Sequence, residues 1–240
     1  LIDLSLSRAQ FTPAFLSRLR AAYPGIEITA QATEHTASLV EHSIDADQRA
    51  RLELDLRFFD LNPTLPLESI CAHLDRYQPK NESQEQLVQF SKRLIDLSPD
   101  AGGAGLYMWG EAGIGKSHIA VSLAKIFMQK GLLPNFIVAD TYGFDTHLKL
   151  AHGQVWIIDD MNSGYGISSR LFKEVILNAH DKGGRVFVTS NKPYDQLMRE
   201  LFVGDGEANR MRYEDRTKGM FKILHVTGDS HRQEMAWWKD

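Results

Sequence analysis

In the stretch LYMWGEAGIGKSH, residues 106–118, spaced glycines lead into Lys116 and Ser117. The block Gly110, Glu111, Ala112, Gly113, Ile114, Gly115, Lys116, Ser117 fits the spacing G-x-x-x-x-G-K-[ST]. That spacing has a chemical reason. Glycines let a backbone wrap so closely that successive N–H groups, here from Gly110 through His118, converge on an anion. A helix beginning at the lysine adds unpaired N–H groups and the positive end of its dipole. The lysine reaches the β- and γ-phosphates of a nucleotide, and the adjacent hydroxyl ligates Mg²⁺. The ligands implied are ATP and Mg²⁺, cradled by residues 110–118.

Hydrolysis needs further groups to organise metal, water and developing charge. VWIIDDMN, residues 155–162, is an apolar run ending in Asp159 and Asp160. At the C-terminal end of a parallel strand such residues border the ligand crevice. Asp159 is the candidate Mg²⁺ ligand beside Ser117, and Asp160 the candidate to polarise the attacking water. VFVTSNKP is another apolar run with a polar end, where Ser190 or Asn191 can reach the γ-phosphate or the water. Further on, Arg212 and Arg216 stand four apart, hence on one helix face. Two roles are open to them. One is to neutralise transition-state charge at a neighbouring subunit's nucleotide, and the other is a solvated face paired to Glu214 and Asp215.

These residues need a scaffold. Strand-like runs at 106–109, 135–139, 155–158, 185–189 and 222–226 alternate with helical patterns at 116–129, 168–179, 194–202 and 207–220. Alternation of this kind predicts βαβ units, an α/β fold with a parallel sheet flanked by helices. The helix after the loop places Ile119, Ala120, Leu123, Ala124 and Phe127 on one face. ESQEQLVQFSKRLIDL adds an amphipathic helix with Leu87, Phe90, Leu94 and Leu97 on a stripe. Residues 1–75 read as a separate, mainly helical region. RAQFTPAFLSRLRAAYPG carries Phe11, Phe15, Leu16 and Leu19 at helical spacing, DADQRARLELDLRFFDLNP reads as a second helix, and PLESICAHLDRY as a third. GIEITAQAT alternates as a short strand does, or is irregular. The organisation expected is 1–75, a partner-binding region, followed by 76–240, the nucleotide-binding domain.

Composition narrows the class. The chain has 240 residues and a formal net charge of −4. Residues 1–100 carry 10 Lys+Arg against 15 Asp+Glu, and residues 161–240 carry 13 against 11. No segment is basic enough to announce nucleic acid, and the acidic front part fits a protein contact better than DNA. No run approaches the roughly 18 apolar residues of a membrane span. Cys71 is the single cysteine, which excludes an internal disulfide and fits a reducing, cytoplasmic setting. The nine His lack metal-ligand spacing. Trp109 and Trp156 read as core, while Trp237 and Trp238 dock the tail or meet a partner. No arginine-rich lid follows, which argues against a small-molecule kinase.

The order of P-loop, Asp-Asp strand end, Ser-Asn strand end and arginine helix resembles the AAA+ ATPases. Within them it resembles the DnaC/IstB-like group of helicase loaders and transposition helpers. RYQPKNESQEQLVQFSKRLID is similar to that group's opening segment and GEAGIGKSHIAVSLAK to its P-loop and helix. VWIIDDMN and VFVTSNKP resemble its Walker B and sensor 1 strands. RYEDRTKGMFKILHVTGDSHRQ resembles its closing segment, which ends on an arginine, here Arg232. The resemblance covers about 76–240. It implies an AAA+ core without a separate helical lid and assembly with further copies or other AAA+ subunits. It also implies work with a helicase or transposase, and single-stranded DNA as a further ligand. Asn191 then resembles sensor 1, and Arg212 or Arg216 the inter-subunit arginine. Two features depart from the pattern. Only DTYGFDTHLKLAHGQ separates the second strand from Walker B, where the group has a substantial helix used toward DNA, and Asp160 stands where many AAA+ enzymes have Glu. The alternatives are a ZapE-like protein-remodelling ATPase and a nucleotide-gated interaction module with slow turnover.

Overall fold

A computed structural model describes residues 2–4, 12–24, 26–33, 36–41, 45–97, 102–139, 154–162, 167–203 and 206–230. The chain divides into two compact units, Leu1–Ala72 and His73–Asp240.

In the first unit, β1 (Ile2–Leu4), β2 (Ile26–Thr33) and β3 (Thr36–Glu41) form an antiparallel sheet in the order β1-β3-β2. The GIEITAQAT stretch is therefore a strand, and β1 and β3 add to a region read mainly as helix. α1 (Pro13–Ala22) begins where the Thr12 hydroxyl accepts the Phe15 N–H at 3.1 Å, with proline at the first helical position. α2 (Ala46–Leu61) is capped by Asp45 on the Gln48 N–H. The rings of Phe15 and Phe59 meet at 5.0 Å between centroids, and the buried Tyr23 hydroxyl donates to Asp55 at 2.6 Å. PLESICAHLDRY, which runs from the end of the first unit into the start of the second, forms two single 3-10 turns, Leu67–Ser69 and Leu74–Arg76, rather than a helix. Ile70 and Ala72, two apart, are both buried, a spacing that one helix face does not serve.

The second unit opens with α3 (Glu82–Ile95), capped by Asn81, whose side chain accepts the Gln84 N–H at 3.1 Å. Leu87 and Leu94 are buried as the stripe requires, but Leu97 lies past the helix end and is 43% exposed. Then come β4 (Ala104–Trp109), α4 (Lys116–Gln129), β5 (Pro134–Val138) and β6 (Val155–Asp159). They are followed by α5 (Ile167–Lys182), β7 (Arg185–Ser190), α6 (Tyr194–Leu201), α7 (Glu207–Met220) and β8 (Phe221–His225). The five strands are parallel in the order β5-β6-β7-β4-β8.

Helices cover both faces, which is why β6 and β7 read as unbroken apolar runs. On one face Tyr107, Trp156, Ile158, Val186 and Val188 join Leu171, Phe172 and Val175 of α5, Leu197 and Met198 of α6 and Met220 of α7. The intervening strand residues point the other way, and there Phe187 stacks with Phe127 of α4 at 6.1 Å. Trp156 is fully buried as expected; Trp109 is only partly buried and stacks on His225 at 3.7 Å. Because all five strands run the same way, the ends of β4, β6 and β7 lie side by side. The three polar segments singled out in the sequence follow those ends. Among the described residues no helix is long and apolar enough to cross a membrane.

Candidate nucleotide site

The P-loop follows β4 directly and ends on α4, so its shape is set by a buried strand and a buried helix. Its backbone takes conformations open mainly to glycine: φ is +82° at Gly113 and +92° at Gly115. A Cβ at Gly115 would run into the Tyr77 ring, and one at Gly113 into the Ser230 side chain. Tyr77 also donates its hydroxyl to the Ile114 carbonyl at 3.2 Å, and burial pushes its pKa up to about 12. His118 lies against the Tyr77 ring at 5.7 Å and shares a hydrogen bond with the His73 carbonyl at 2.9 Å.

Lys116 is 5% exposed. Its ammonium donates to the carbonyls of Gly110 at 2.9 Å and Glu111 at 2.7 Å, and to Asn191 Oδ1 at 3.2 Å. Asn191 is thus the residue of the Ser-Asn pair that reaches the loop. The Ser190 hydroxyl turns inward and donates to the Met161 carbonyl at 2.7 Å.

The Ser117 hydroxyl donates to Asp159 Oδ1 at 2.7 Å, joining the two candidate metal ligands. The same oxygen accepts from Thr189 Oγ1 at 2.7 Å, and Thr189 Oγ1 in turn accepts the Asp160 N–H at 2.9 Å. Thr189, fully buried on β7, was not picked out from the sequence. Only its place one residue before the Ser-Asn pair hinted at it. Burial pushes the Asp159 pKa up, while the Thr189 and Ser117 hydrogen bonds hold it down. Asp160 sits at φ +54°, the one described non-glycine residue in the left-handed region. Asp and Asn are among the residues that tolerate this conformation best, a physical reason for Asp rather than a longer acid here. Asn162 Oδ1 accepts the Asn191 N–H at 2.7 Å and ties the two strand ends together.

Thr189→Val keeps the shape but removes a donor to Asp159 and orphans the Asp160 N–H. The expected cost at pH 7 is about 1–3 kcal/mol, read as a lower Tm. Asp159 binds its proton more readily folded than unfolded, so its burial cost is absent below its unfolded pKa and complete above the folded one. The valine variant raises the folded pKa further. Its Tm deficit is therefore expected to shrink as pH falls through that raised value, and an equal deficit at all pH would disconnect Thr189 from Asp159.

Ser117 Oγ and Asp159 suit Mg²⁺, which takes one or two protein oxygens and completes its shell with water and phosphate. Among the described residues no cluster of three or more His, Cys, Asp or Glu forms a self-sufficient metal site.

Arg212 and Arg216 are placed elsewhere. They line a cavity of about 390 Å³ between α5 and α7, with no residue of 110–118 in its wall. Glu214, a suggested partner for them, instead pairs with Arg210 at 3.3 Å and Lys218 at 3.8 Å. Among the described residues neither Arg212 nor Arg216 has an ion pair. Arg232, Trp237, Trp238 and all but the last residue of the short DTYGFDTHLKLAHGQ connection lie outside the described residues.

No family model matches this sequence, and no curated protein does. Solved structures do match. DnaI is 18% identical, with a TM-score of 0.61, over 73% of this chain and 100% of its own. A putative primosome component from Streptococcus pyogenes serotype M3 is 20% identical, with a TM-score of 0.55, over 70% of this chain and 93% of its own. The DnaC helicase loader is 23% identical, with a TM-score of 0.51, over 65% of this chain and 97% of its own. At such identities the likeness is one of fold. A five-stranded parallel sheet, helices on both faces and a glycine-rich loop after β4 agree with it: the chain shares the fold of DnaI and the DnaC helicase loader.

Proposed function

We propose that this protein binds ATP with Mg²⁺, hydrolyses it at a site completed by a second copy, and uses the cycle to act on a helicase or similar DNA-linked protein partner. The hydrogen-bonded array of Ser117, Asp159, Thr189 and Asp160, beside Lys116 and Asn191, carries the reading. Thr189 holds the two carboxylate residues from behind, and the others each serve a different part of a bound triphosphate. The 110–118 backbone and Lys116 hold the β- and γ-phosphates, the ammonium exchanging a loop carbonyl for phosphate oxygen. Ser117 and Asp159 hold the metal, which when bound screens the phosphate charge. Asp160, exposed at its strand end, accepts a hydrogen bond from the water that attacks the γ-phosphorus. The bond from that phosphorus to the bridging oxygen breaks, and ADP leaves with the electron pair. Asn191, linked to Lys116, is placed to sense whether the γ-phosphate is present.

Asp160→Asn keeps both the size and the left-handed backbone but cannot accept the proton. ATP affinity is expected to stay within about threefold, while kcat falls about 100-fold or more. Normal turnover would remove Asp160 from the reaction. The DNA-linked role rests on the DnaI, primosome-component and DnaC structures, and on the closing VTGDSHR phrase. The acidic residues 1–100 favour the second reading, a remodeller of proteins alone, and make the first unit the candidate partner-binding region. Stimulation of ATP turnover by single-stranded DNA supports the first reading, and indifference to it the second.

A further inference from the structure

The P-loop glycines are met by two other stretches of the chain. The place that a Cβ would take is filled at Gly110 by the Val226 carbonyl, at Gly113 by the Ser230 hydroxyl and at Gly115 by the Tyr77 ring. Val226 also donates its N–H to the Trp109 carbonyl at 2.8 Å. Residues 226–230, leaving the end of β8, thus follow the loop from Gly110 to Gly113, while Tyr77 closes on Gly115. The two stretches are tied together at the start of α3. Asn81 Nδ2 and Gln84 Nε2 both donate to the Thr227 carbonyl, at 2.9 and 3.1 Å. The Thr227 N–H donates to Ser83 Oγ at 3.0 Å, and the Ser83 and Thr227 hydroxyls share a hydrogen bond at 3.0 Å. Gln84 is fully buried, and its Oε1 accepts the Lys80 N–H at 2.7 Å. Gly228, at φ +134°, has no room for a side chain: a Cβ there would come within 2.6 Å of Gln84 Nε2. Capping α3 needs only Asn81 Oδ1 on the Gln84 N–H. The grip of three side chains on Thr227 is more than the helix requires.

We propose that Gln84, with Asn81 and Ser83, is a positioning residue for nucleotide binding: by fixing Thr227 it holds the 226–230 strap against Gly113 and so sets how tightly the P-loop holds ATP. This rests on the ATP-binding reading above and deepens it with residues that act through the strap rather than on the phosphates. The loop's N–H groups hold a phosphate best when their backbone need not be ordered at the moment of binding. Loosening the strap adds that ordering cost to binding. It leaves the barrier from the bound state to hydrolysis as it was, which is the signature of a change in uniform binding.

The test uses the full chain with Gln84→Glu and Ser83→Ala, read by titration of a fluorescent ATP analogue with Mg²⁺ and by steady-state turnover. Gln84→Glu keeps the acceptor for the Lys80 N–H and puts a carboxylate in the first turn of α3, where it suits the helix dipole. It sets an oxygen against the Thr227 carbonyl in place of a donor. Affinity for the analogue is expected to fall about tenfold, KM to rise in step, and kcat to stay within about twofold. Ser83→Ala, at a half-buried position, is expected to move affinity and KM the same way by about threefold, and it decides the matter if Gln84→Glu does not fold. Affinity equal to that of the unaltered protein would overturn the proposal, since a merely structural contact lowers Tm alone. A fall in kcat at unchanged KM would overturn it by placing these residues in the chemistry, and tighter binding by making the strap an obstruction to ATP. If the unaltered protein itself fails to bind the analogue, the ATP-binding reading fails; if it binds and the variants bind equally well, only the role of the strap is wrong.

Discussion

Lys116→Ala is expected to lose ATP turnover entirely and to bind ATP about 100-fold more weakly. The ammonium is buried and donates to Gly110, Glu111 and Asn191. In the proposed ATP complex its removal takes the cation away from the β- and γ-phosphates. It also cuts the side-chain link between the loop and Asn191. The loop carbonyls left behind can turn to water, so the fold is expected to survive with little change in Tm. Nucleotide affinity measured by titration of a fluorescent ATP analogue separates the two effects. An affinity equal to that of the unaltered protein would sink the assignment of Lys116.

The second large effect lies at the cavity between α5 and α7. One of Arg212→Ala and Arg216→Ala is expected to lower kcat about 1,000-fold, the range for an arginine supplied in trans, while leaving ATP affinity intact. Neither arginine is spent on an ion pair among the described residues, and neither lines a wall with the P-loop of its own chain. Alone, such a variant is inactive. Mixed with Lys116→Ala protein it is expected to regain turnover, since the P-loop of one copy then faces the arginine of the other. Arg216 is half-buried and Arg212 exposed, so Arg216 is held in the more fixed position and is the one expected to show the larger loss. If neither variant recovers on mixing, the arginines act within their own chain or only in packing.

Much of this site was legible in the sequence because it is local. The P-loop is eight consecutive residues whose proposed function lies in their own backbone. The strands that frame it are buried on both faces, so apolar runs with polar ends mark them within a residue or two. β4 starts at Ala104, earlier than read, because Gly103 and Gly105 around it look like loop; yet a Cβ at Gly105 would strike the Val186 carbonyl of β7. What was not legible depends on distance along the chain. Thr189 acts through an oxygen on Asp159, 30 residues away. In the first unit β1 and β3 are short strands whose partners are set by pairing rather than by pattern; PLESICAHLDRY, which crosses the unit boundary, has helical composition but buries residues two apart.

The most direct measurement is ATP turnover per copy as a function of protein concentration, with Lys116→Ala as the blank. A site shared between copies requires turnover to rise from near the blank at low concentration to a plateau as copies associate. Turnover per copy that is well above the blank and flat with concentration would contradict a shared site, and turnover equal to the blank throughout would contradict hydrolysis by this protein alone.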